Sequence, residues 1–308
     1  MVGFSQTTLV ARLGRMSDIA VPDLRRLSHF VAVVEASGFT RAAETLHLSQ
    51  QALSNSVQQL EKEIGAELLV RAGRRISLTP AGQTLLDEGR ALLAAAKTVA
   101  RHTRAAASSQ PDEFVVGHSP AISSGEVYRL LEPAIAASPM TSFTAVQLFP
   151  DRLVSAVQDG TVQLGLRRGV VPQERLASAV ARYDTLRVAV RSQHRLATRT
   201  HISIADLANE AIVLWAPPGT SYYSDFLVNV CRRAGFEPQY RVSRVQGCPP
   251  EVAALTDDAV AFVTSSPGPV IGGAVTVVDI DGPVLVPLQA LWQPHTSSAV
   301  RDLILAQQ

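Results

Sequence analysis

The chain has 308 residues and a mass of 32.9 kDa, which at roughly 100 to 200 residues per domain is enough for two domains, each with a real core. Apolar residues make up 46% and charged residues 18%, excluding a disordered, collagen-like or supercharged chain, and the formal net charge of +1 by itself gives no sign of a polyanionic partner. No apolar run approaches the roughly 18 residues of a membrane span. Cys231 and Cys248 lack the spacing of a metal knuckle or a redox pair. A cytoplasmic protein without metal, cofactor or membrane partner is therefore expected. In the first segment Arg12 and Arg15 follow the short apolar run, the reverse of a secretory leader, so residues 1–20 are read as a disordered extension, with Met16 an alternative start.

The average charge conceals an asymmetry. Up to Gln110 there are 13 Lys and Arg against 9 Asp and Glu, a net of +4, and the remainder carries −3. The basic part reads as almost wholly helical. After Asp23, a fitting N-cap, Leu24, Leu27, Phe30, Val31 and Val34 recur at helical spacing, with Gly38 where a left-handed terminal residue is wanted. Thr40 is expected to cap a short second helix with Ala42, Ala43 and Leu46 inward. After the turn His47-Leu48-Ser49 a third helix runs to about Ile64, with Leu53, Val57, Leu60 and Ile64 on one face and Gly65 ending it. Two helices across so short a turn outline a helix-turn-helix.

The outward face of the third helix offers Gln50, Gln51, Ser54, Asn55 and Gln58, an uncharged row rich in amides. Amides can present a donor and an acceptor together to adenine in the major groove, and serines at a helix start can hold phosphate oxygens. Thr40, Arg41 and Ser49 join these as candidate DNA contacts. The plain alternative is a solvated face, but such faces usually carry Lys and Glu, and here the charges wait until Glu61. Leu68 to Leu78 then reads as two short strands around a basic turn, a wing whose Arg71, Arg74 and Arg75 could meet phosphates or the minor groove. Thr79 caps a long helix with Pro80 at its first position. Along it Leu85, Leu92 and Val99 repeat at seven, with Leu86, Leu93, Ala96 and Ala100 beside them, so the stripe could pair with its copy; Gly89 weakens that pattern, and packing on its own domain is the alternative.

The stretch from Leu24 through Ser54, with Phe39-Thr-Arg-Ala-Ala43 and Leu48-Ser-Gln-Gln-Ala-Leu-Ser54 inside it, then Leu60-Glu-Lys-Glu-Ile-Gly65, Arg71 and Leu78-Thr-Pro-Ala-Gly82, strongly resembles the LysR-type transcriptional regulators. The resemblance covers about sixty residues in order. It implies an N-terminal all-α winged helix-turn-helix with a long linker helix that dimerises, followed by an α/β effector domain of two subdomains, periplasmic-binding-protein-like. The corresponding segments are residues 21–79 for DNA binding, 80–108 for the linker, and 113–308 for the effector domain, with subdomain one at 113–184 and 285–308 and subdomain two at 185–284. By the resemblance, Gln50, Ser54 and Asn55 would face the groove and Arg71 the backbone. Three positions depart from the family's habit: Gln51 stands where Pro is usual, Asn55 where Arg is common, and Leu69 where Phe is usual. The implied partners are a double-stranded DNA operator, a small-molecule effector such as a carboxylate, and further copies of the chain in a homodimer or homotetramer.

From Glu113 onward short β-rich runs alternate with helical ones, which argues for parallel sheets with a ligand cleft at strand ends. Expected elements are strands at 114–118, 143–149 and 162–167 with helices from Ser124 and Asp151. A second set follows, with runs at 186–190, 211–215, 239–245, 250–255, 259–263 and 275–280 and a helix at 222–234, before a closing strand at 285–292 and a helix at 298–306. Candidate effector contacts lie on the loops that open helices: Ser119, Pro120 and Ser123 after the first strand, and Gly219, Thr220 and Ser221 in the second subdomain. By resemblance Ser119 and Thr220 occupy positions that often touch effector; Arg167 and Gln246 are further candidates at strand ends. Simple N-capping is the alternative at each Ser and Thr.

A reading from another class is an α/β hydrolase with Ser119 as nucleophile, since Gly117-His118-Ser119-Pro120-Ala121 nearly spells the G-x-S-x-G elbow, with His194, His201 or His295 as the base. It is disfavoured because several strands precede the elbow in that fold, whereas here everything before Phe114 reads as helix and wing. A transport solute-binding protein is disfavoured by the lack of an export signal. Both cysteines are expected to be packing residues.

Overall fold

The computed structural model describes residues 21–72, 75–108, 111–173, 175–245, 247–257, 259–294 and 296–306, with backbone alone at 71, 72, 75, 102, 105, 106 and 108. The chain forms two compact units, one ending at Leu93 and one beginning at Ala94. The expected extension over residues 1–20 lies outside the described residues, as do Arg74, Gln246 and His295.

The first unit is built from α1 (Leu24–Glu35), α2 (Phe39–Leu46), α3 (Gln50–Ile64), the hairpin β1 (Leu69–Ala72) and β2 (Arg75–Leu78), and the start of α4 (Pro80–Ser108). Asp23 caps α1, its carboxylate accepting Arg26 N–H at 2.9 Å. The core joins Leu27, Phe30 and Val33 of α1 to Leu53, Val57 and Leu60 of α3, closed by Leu68 and Leu86. Leu24, expected on the inward stripe, lies at its exposed edge. Two end signals fall elsewhere than the sequence pattern placed them. The left-handed residue after α1 is Ser37, with φ 53°, while Gly38 is extended and is itself the N-cap of α2. Thr40 therefore sits inside the first turn, free to use its hydroxyl elsewhere. Gly65, with φ 74°, does end α3 in the left-handed region. Thr79 Oγ1 accepts Gly82 N–H at 2.9 Å and so caps α4.

Two glycines of α4 are required by close packing. A Cβ on Gly82 would meet the Leu68 carbonyl oxygen at 2.0 Å, and one on Gly89 would meet Leu27 Cδ1 at 2.7 Å. Gly89, which interrupts the heptad stripe, is thus explained by the contact of α4 with α1. Leu92 and Val99 are exposed.

The second unit holds two larger sheets and a two-stranded one. The first has strand order β4-β3-β5-β14-β6, from β3 (Asp112–His118), β4 (Thr141–Gln147), β5 (Leu164–Arg168), β6 (Ala177–Thr185) and β14 (Leu285–Trp292). β3 is parallel to β4 and β5, and β14 runs antiparallel to β5 and β6. Helices α5 (Ser124–Ala137), α6 (Pro150–Gln158) and α9 (Ala299–Leu305) complete this half. The second sheet has order β11-β7-β13-β12, from β7 (Arg187–Arg191), β11 (Ala261–Val263), β12 (Gly268–Val270) and β13 (Val275–Ile280), with β8 (His201–Ile202) beside β13. A parallel pair, β9 (Ala211–Leu214) with β10 (Gln239–Val242), and helices α7 (Tyr222–Arg233) and α8 (Ala253–Thr256) pack around it. The expectation of parallel sheets holds for the β3–β4–β5 core and for β9–β10. It does not hold for the second sheet, where β7, β11, β12 and β13 pair antiparallel. Strands β6, β8 and β12 were not among the expected elements. In β6 only Ala181 is fully buried, so no alternation announces it, and its place is fixed by pairing with β14 a hundred residues away.

Candidate nucleic-acid interface and ligand cleft

Ser49 starts α3, its Oγ accepting Ala52 N–H at 3.1 Å. With Leu53, Val57 and Leu60 turned into the core, the opposite face carries Gln50, Gln51, Asn55 and Gln58, all exposed, and half-buried Ser54. Thr40 Oγ1 donates to Gln50 Oε1 at 3.3 Å, and Gln51 Nε2 donates to Asn55 Oδ1 at 3.0 Å, so the row is partly ordered before any partner arrives. Thr40 and Arg41 are exposed on α2. Arg26 of α1 pairs with Glu63, and His29 Nδ1 lies 2.7 Å from Ser56 Oγ, fixing α3 against α1. Burial lowers the His29 pKa below the ordinary imidazole value. A residue that sequence reading left out sets the wing: Glu61 Oε1 accepts the N–H groups of Leu68 at 2.9 Å and Leu69 at 3.2 Å. Arg71 and Arg75 stand in the paired wing strands, at the registers Arg71↔Ile76 and Ala72↔Arg75.

In the second unit a cavity of about 390 Å³ opens between the ends of β3 and β5 and the segment that runs from Trp215 into the first turn of α7. Ser119, Pro120, Arg167, Gly219, Thr220 and Ser221, all expected from sequence, line it together. Ser123 does not: it caps α5, with its Oγ and N–H both on Glu126 Oε2 at 3.0 and 2.8 Å. Ser221 lines the cleft and is also the N-cap of α7, and Thr220 Oγ1 donates to Pro217 O at 2.6 Å. Gly219 needs to be glycine, with φ +82°, and its N–H reaches Asp225 Oδ1 at 2.7 Å. The aromatic wall of Trp215, Tyr222 and Tyr223, together with Asp151, Asp225 and Val171, was not foreseen. These residues carry no motif, and only the tertiary fold brings them together.

The two arginines that end β5 differ in kind. Arg168 is 1% exposed and bound to the carboxylates of Glu126 and Asp184, with Thr264 Oγ1 at 2.6 Å. Burial opposes its charge, but the two carboxylates outweigh that and hold its pKa above the ordinary value. The chain thereby ties the first sheet's side of the cleft to Thr264, just after β11. Arg167 donates through Nε to Gln289 Oε1 at 2.9 Å and through Nη2 to Val171 O at 3.0 Å. Among the described residues it meets no carboxylate, and burial alone lowers its pKa. A half-buried guanidinium held in place by neutral acceptors is suited to an anionic ligand.

A cavity of about 520 Å³ elsewhere in this unit includes Arg101 and Arg301, but both are already engaged, Arg101 on Glu113 O at 3.0 Å and Arg301 on Thr296 O at 2.8 Å. The hydrolase geometry is not assembled among the described residues. The His118 ring lies 3.3 Å from the backbone oxygen of Ser119, and His194 faces Glu210 at 3.3 Å. Burial pushes the Cys231 thiol up to about 11, as suits a packing residue. Cys248, expected to pack, is instead exposed, because it follows β10 on a loop and not within the sheet.

Comparison with known proteins agrees with both halves. Residues 24–83 match the bacterial regulatory helix-turn-helix proteins of the lysR family, and residues 107–306 match the LysR substrate binding domain. The chain belongs to the LysR family. It is a DNA-binding transcriptional regulator with a substrate-binding domain. Among relatives of this LysR protein is the uncharacterized HTH-type transcriptional regulator YnfL of Escherichia coli, 31% identical over 210 residues that cover 67% of this chain and 70% of the relative. Another is the HTH-type transcriptional regulator TfdS of Cupriavidus pinatubonensis, 28% identical over 217 residues, covering 70% and 74%. The full-length LysR regulator CbnR in complex with its target DNA has the same fold, with a TM-score of 0.58 at 22% identity, covering 92% of this chain and 98% of that one. Among the described residues no helix is long and apolar enough to cross a membrane.

Proposed function

We propose that this LysR regulator binds a two-fold-related operator through the outer face of α3 and the wing, and that a small anionic effector in the cleft of the second unit controls it. Residues 21–79 act as the DNA reader, 80–108 as the linker, and 113–308 as the sensor, whose subdomains span 113–184 with 285–308 and 185–284. Thr40, Arg41, Ser49, Gln50, Gln51, Ser54, Asn55, Gln58, Arg71, Arg74 and Arg75 serve DNA. Ser119, Pro120, Arg167, Gly219, Thr220, Ser221 and Gln246 serve the effector, while Ser123 shapes the cleft by capping α5. The exposed row of Leu92 and Val99 on α4 supports pairing with a second copy, in a homodimer or homotetramer that spaces two recognition helices. The protein works in the cytoplasm and carries out no catalysis.

The observation that carries the sensor reading is Arg167, a half-buried cation that meets no carboxylate among the described residues and lines the same cleft as Ser119 and Thr220. An effector there acts only through its different affinities for the open and closed arrangements. Gel shifts against the DNA upstream of the gene, with and without small carboxylates found by thermal shift, test the whole reading. The expected result is a salt-sensitive, sequence-selective complex altered by at least one carboxylate. Absence of any selective complex overturns the regulator reading, and Ser119-dependent turnover of activated esters would overturn the non-catalytic one.

A further inference from the structure

The two unusual residues on the recognition helix, Gln51 and Asn55, form one unit. They stand one turn apart, both exposed, and Gln51 Nε2 donates to Asn55 Oδ1 at 3.0 Å. With that bond made, the Gln51 carbonyl keeps an acceptor and the Asn55 amino group keeps donors. Exchanging oxygen and nitrogen in both amides still leaves the pair one donor and one acceptor. In the major groove adenine alone presents a donor, N6, beside an acceptor, N7. Guanine presents two acceptors, cytosine a donor, and thymine an acceptor and a methyl group. From Gln50 to Gln59 the helix carries no Lys or Arg, the side chains that read guanine or bind phosphate without choosing. Gln50 is directed separately, by its bond from Thr40.

We propose that Gln51 and Asn55 act jointly as a single adenine-reading group, selecting A·T over G·C at one base pair of each operator half-site. This rests on the reading of α3 as the helix that enters the groove. Because the amides are tied together before contact, less side-chain freedom is lost on binding than for two independent side chains. Guanine at that position would set its O6 against the pair's acceptor and leave a buried acceptor unpaired.

The test is a preferred duplex selected from a randomised pool by the full-length protein, followed by binding of single-base variants of that duplex to the wild type, Gln51→Ala, Asn55→Ala and the double variant. Both side chains are exposed, so the variants fold. One position should show an A-to-G penalty of about tenfold to a hundredfold in the wild type. Either single variant should lose most of that penalty, with the double adding little, as for residues that act as a unit. Asn55→Arg should turn the preference at that position toward guanine. Selective binding by the wild type with the penalty unchanged in both single variants, or with strictly additive losses, overturns the joint unit and leaves the DNA-reading role intact. No selective duplex for the wild type overturns both.

Discussion

The two units use their polar side chains in opposite ways. In the first, neutral hydroxyls and amides lie exposed and satisfy one another, Thr40 on Gln50 and Gln51 on Asn55. In the second, charge is taken inside, with Arg168 buried between Glu126 and Asp184 and Arg167 held in a cleft by neutral oxygens. On the proposed function, the difference follows from what each surface would meet. A duplex supplies negative charge everywhere, so cations on its phosphates attract without choosing, and side chains that meet base edges supply the choice. A small ligand supplies its charge at one point, and a partly desolvated cation waiting there gives both affinity and orientation.

The largest expected effect comes from breaking the buried side of this contrast. Arg168→Met would leave Glu126 and Asp184 facing each other without their cation, and should cost about 3 kcal/mol or more of stability in the second unit, read by equilibrium denaturation of the full chain. An unchanged midpoint would mean that the cluster is not a strut. Next is Gly82→Ala. Its added methyl would collide with a backbone oxygen, that of Leu68, so the first unit should lose roughly 1–3 kcal/mol. Gly89→Ala should cost less, because its obstacle is the end of the Leu27 side chain, which can turn.

Arg167→Gln sharpens the comparison between the neighbouring arginines. Removing a charged donor that meets no carboxylate among the described residues should leave folding unchanged but weaken an anionic effector by about 2 kcal/mol, roughly thirtyfold, measured by calorimetry with a carboxylate taken from the thermal screen. Equal affinity for wild type and variant would remove Arg167 from the site. Ser49→Ala is smaller. Loss of the cap on α3 should cost about 1 kcal/mol in the first unit, with DNA affinity falling by no more than the frayed first turn explains.

The contrast also explains what could be read in the sequence. In the first unit the helices are set by contacts three and four residues apart, so the spacing of Leu27, Phe30, Leu53, Val57 and Leu60 displayed the core directly, and the outer row of α3 followed as its complement. End signals were less secure: Ser37 rather than Gly38 took the left-handed turn, because the bonds of Ser37 and Gly38 N–H back to Val34 and Val33 decide that geometry. In the second unit, helix-opening loops announced Ser119 and Gly219-Thr220-Ser221 through their turn chemistry. The aromatic wall gathers residues of a loop and α7 beside the ends of β3 and β5, and the Arg168 cluster joins residues as far apart as Glu126 and Thr264, so no local pattern records either meeting. β6 was missed for the same reason.

The finest test concerns a carboxyl that borders the Arg168 cluster. Glu251 is nearly fully buried and bonded by Ser265 Oγ, and its pKa is raised above the ordinary Glu value, first by burial and then by the charge of Glu126. A raised carboxyl pKa means that the folded protein holds this proton more tightly than the unfolded chain does. The contribution of Glu251 to stability is therefore fully present below the unfolded value of about 4.3 and is lost as pH rises through the higher folded value. A carboxyl whose pKa is lowered, such as Glu237 hydrogen-bonded by Arg232, acts in the opposite sense, so the total curve mixes the two, and a substitution is needed to separate them. Glu251→Gln keeps the oxygen that Ser265 bonds and removes the ionisation. The stability of the variant relative to the wild type should rise with pH across that window and level off above it, as measured by denaturation midpoints at a series of pH values. A difference that does not change with pH would show that Glu251 titrates alike in the folded and unfolded states, and that its burial sets no charge against the fold.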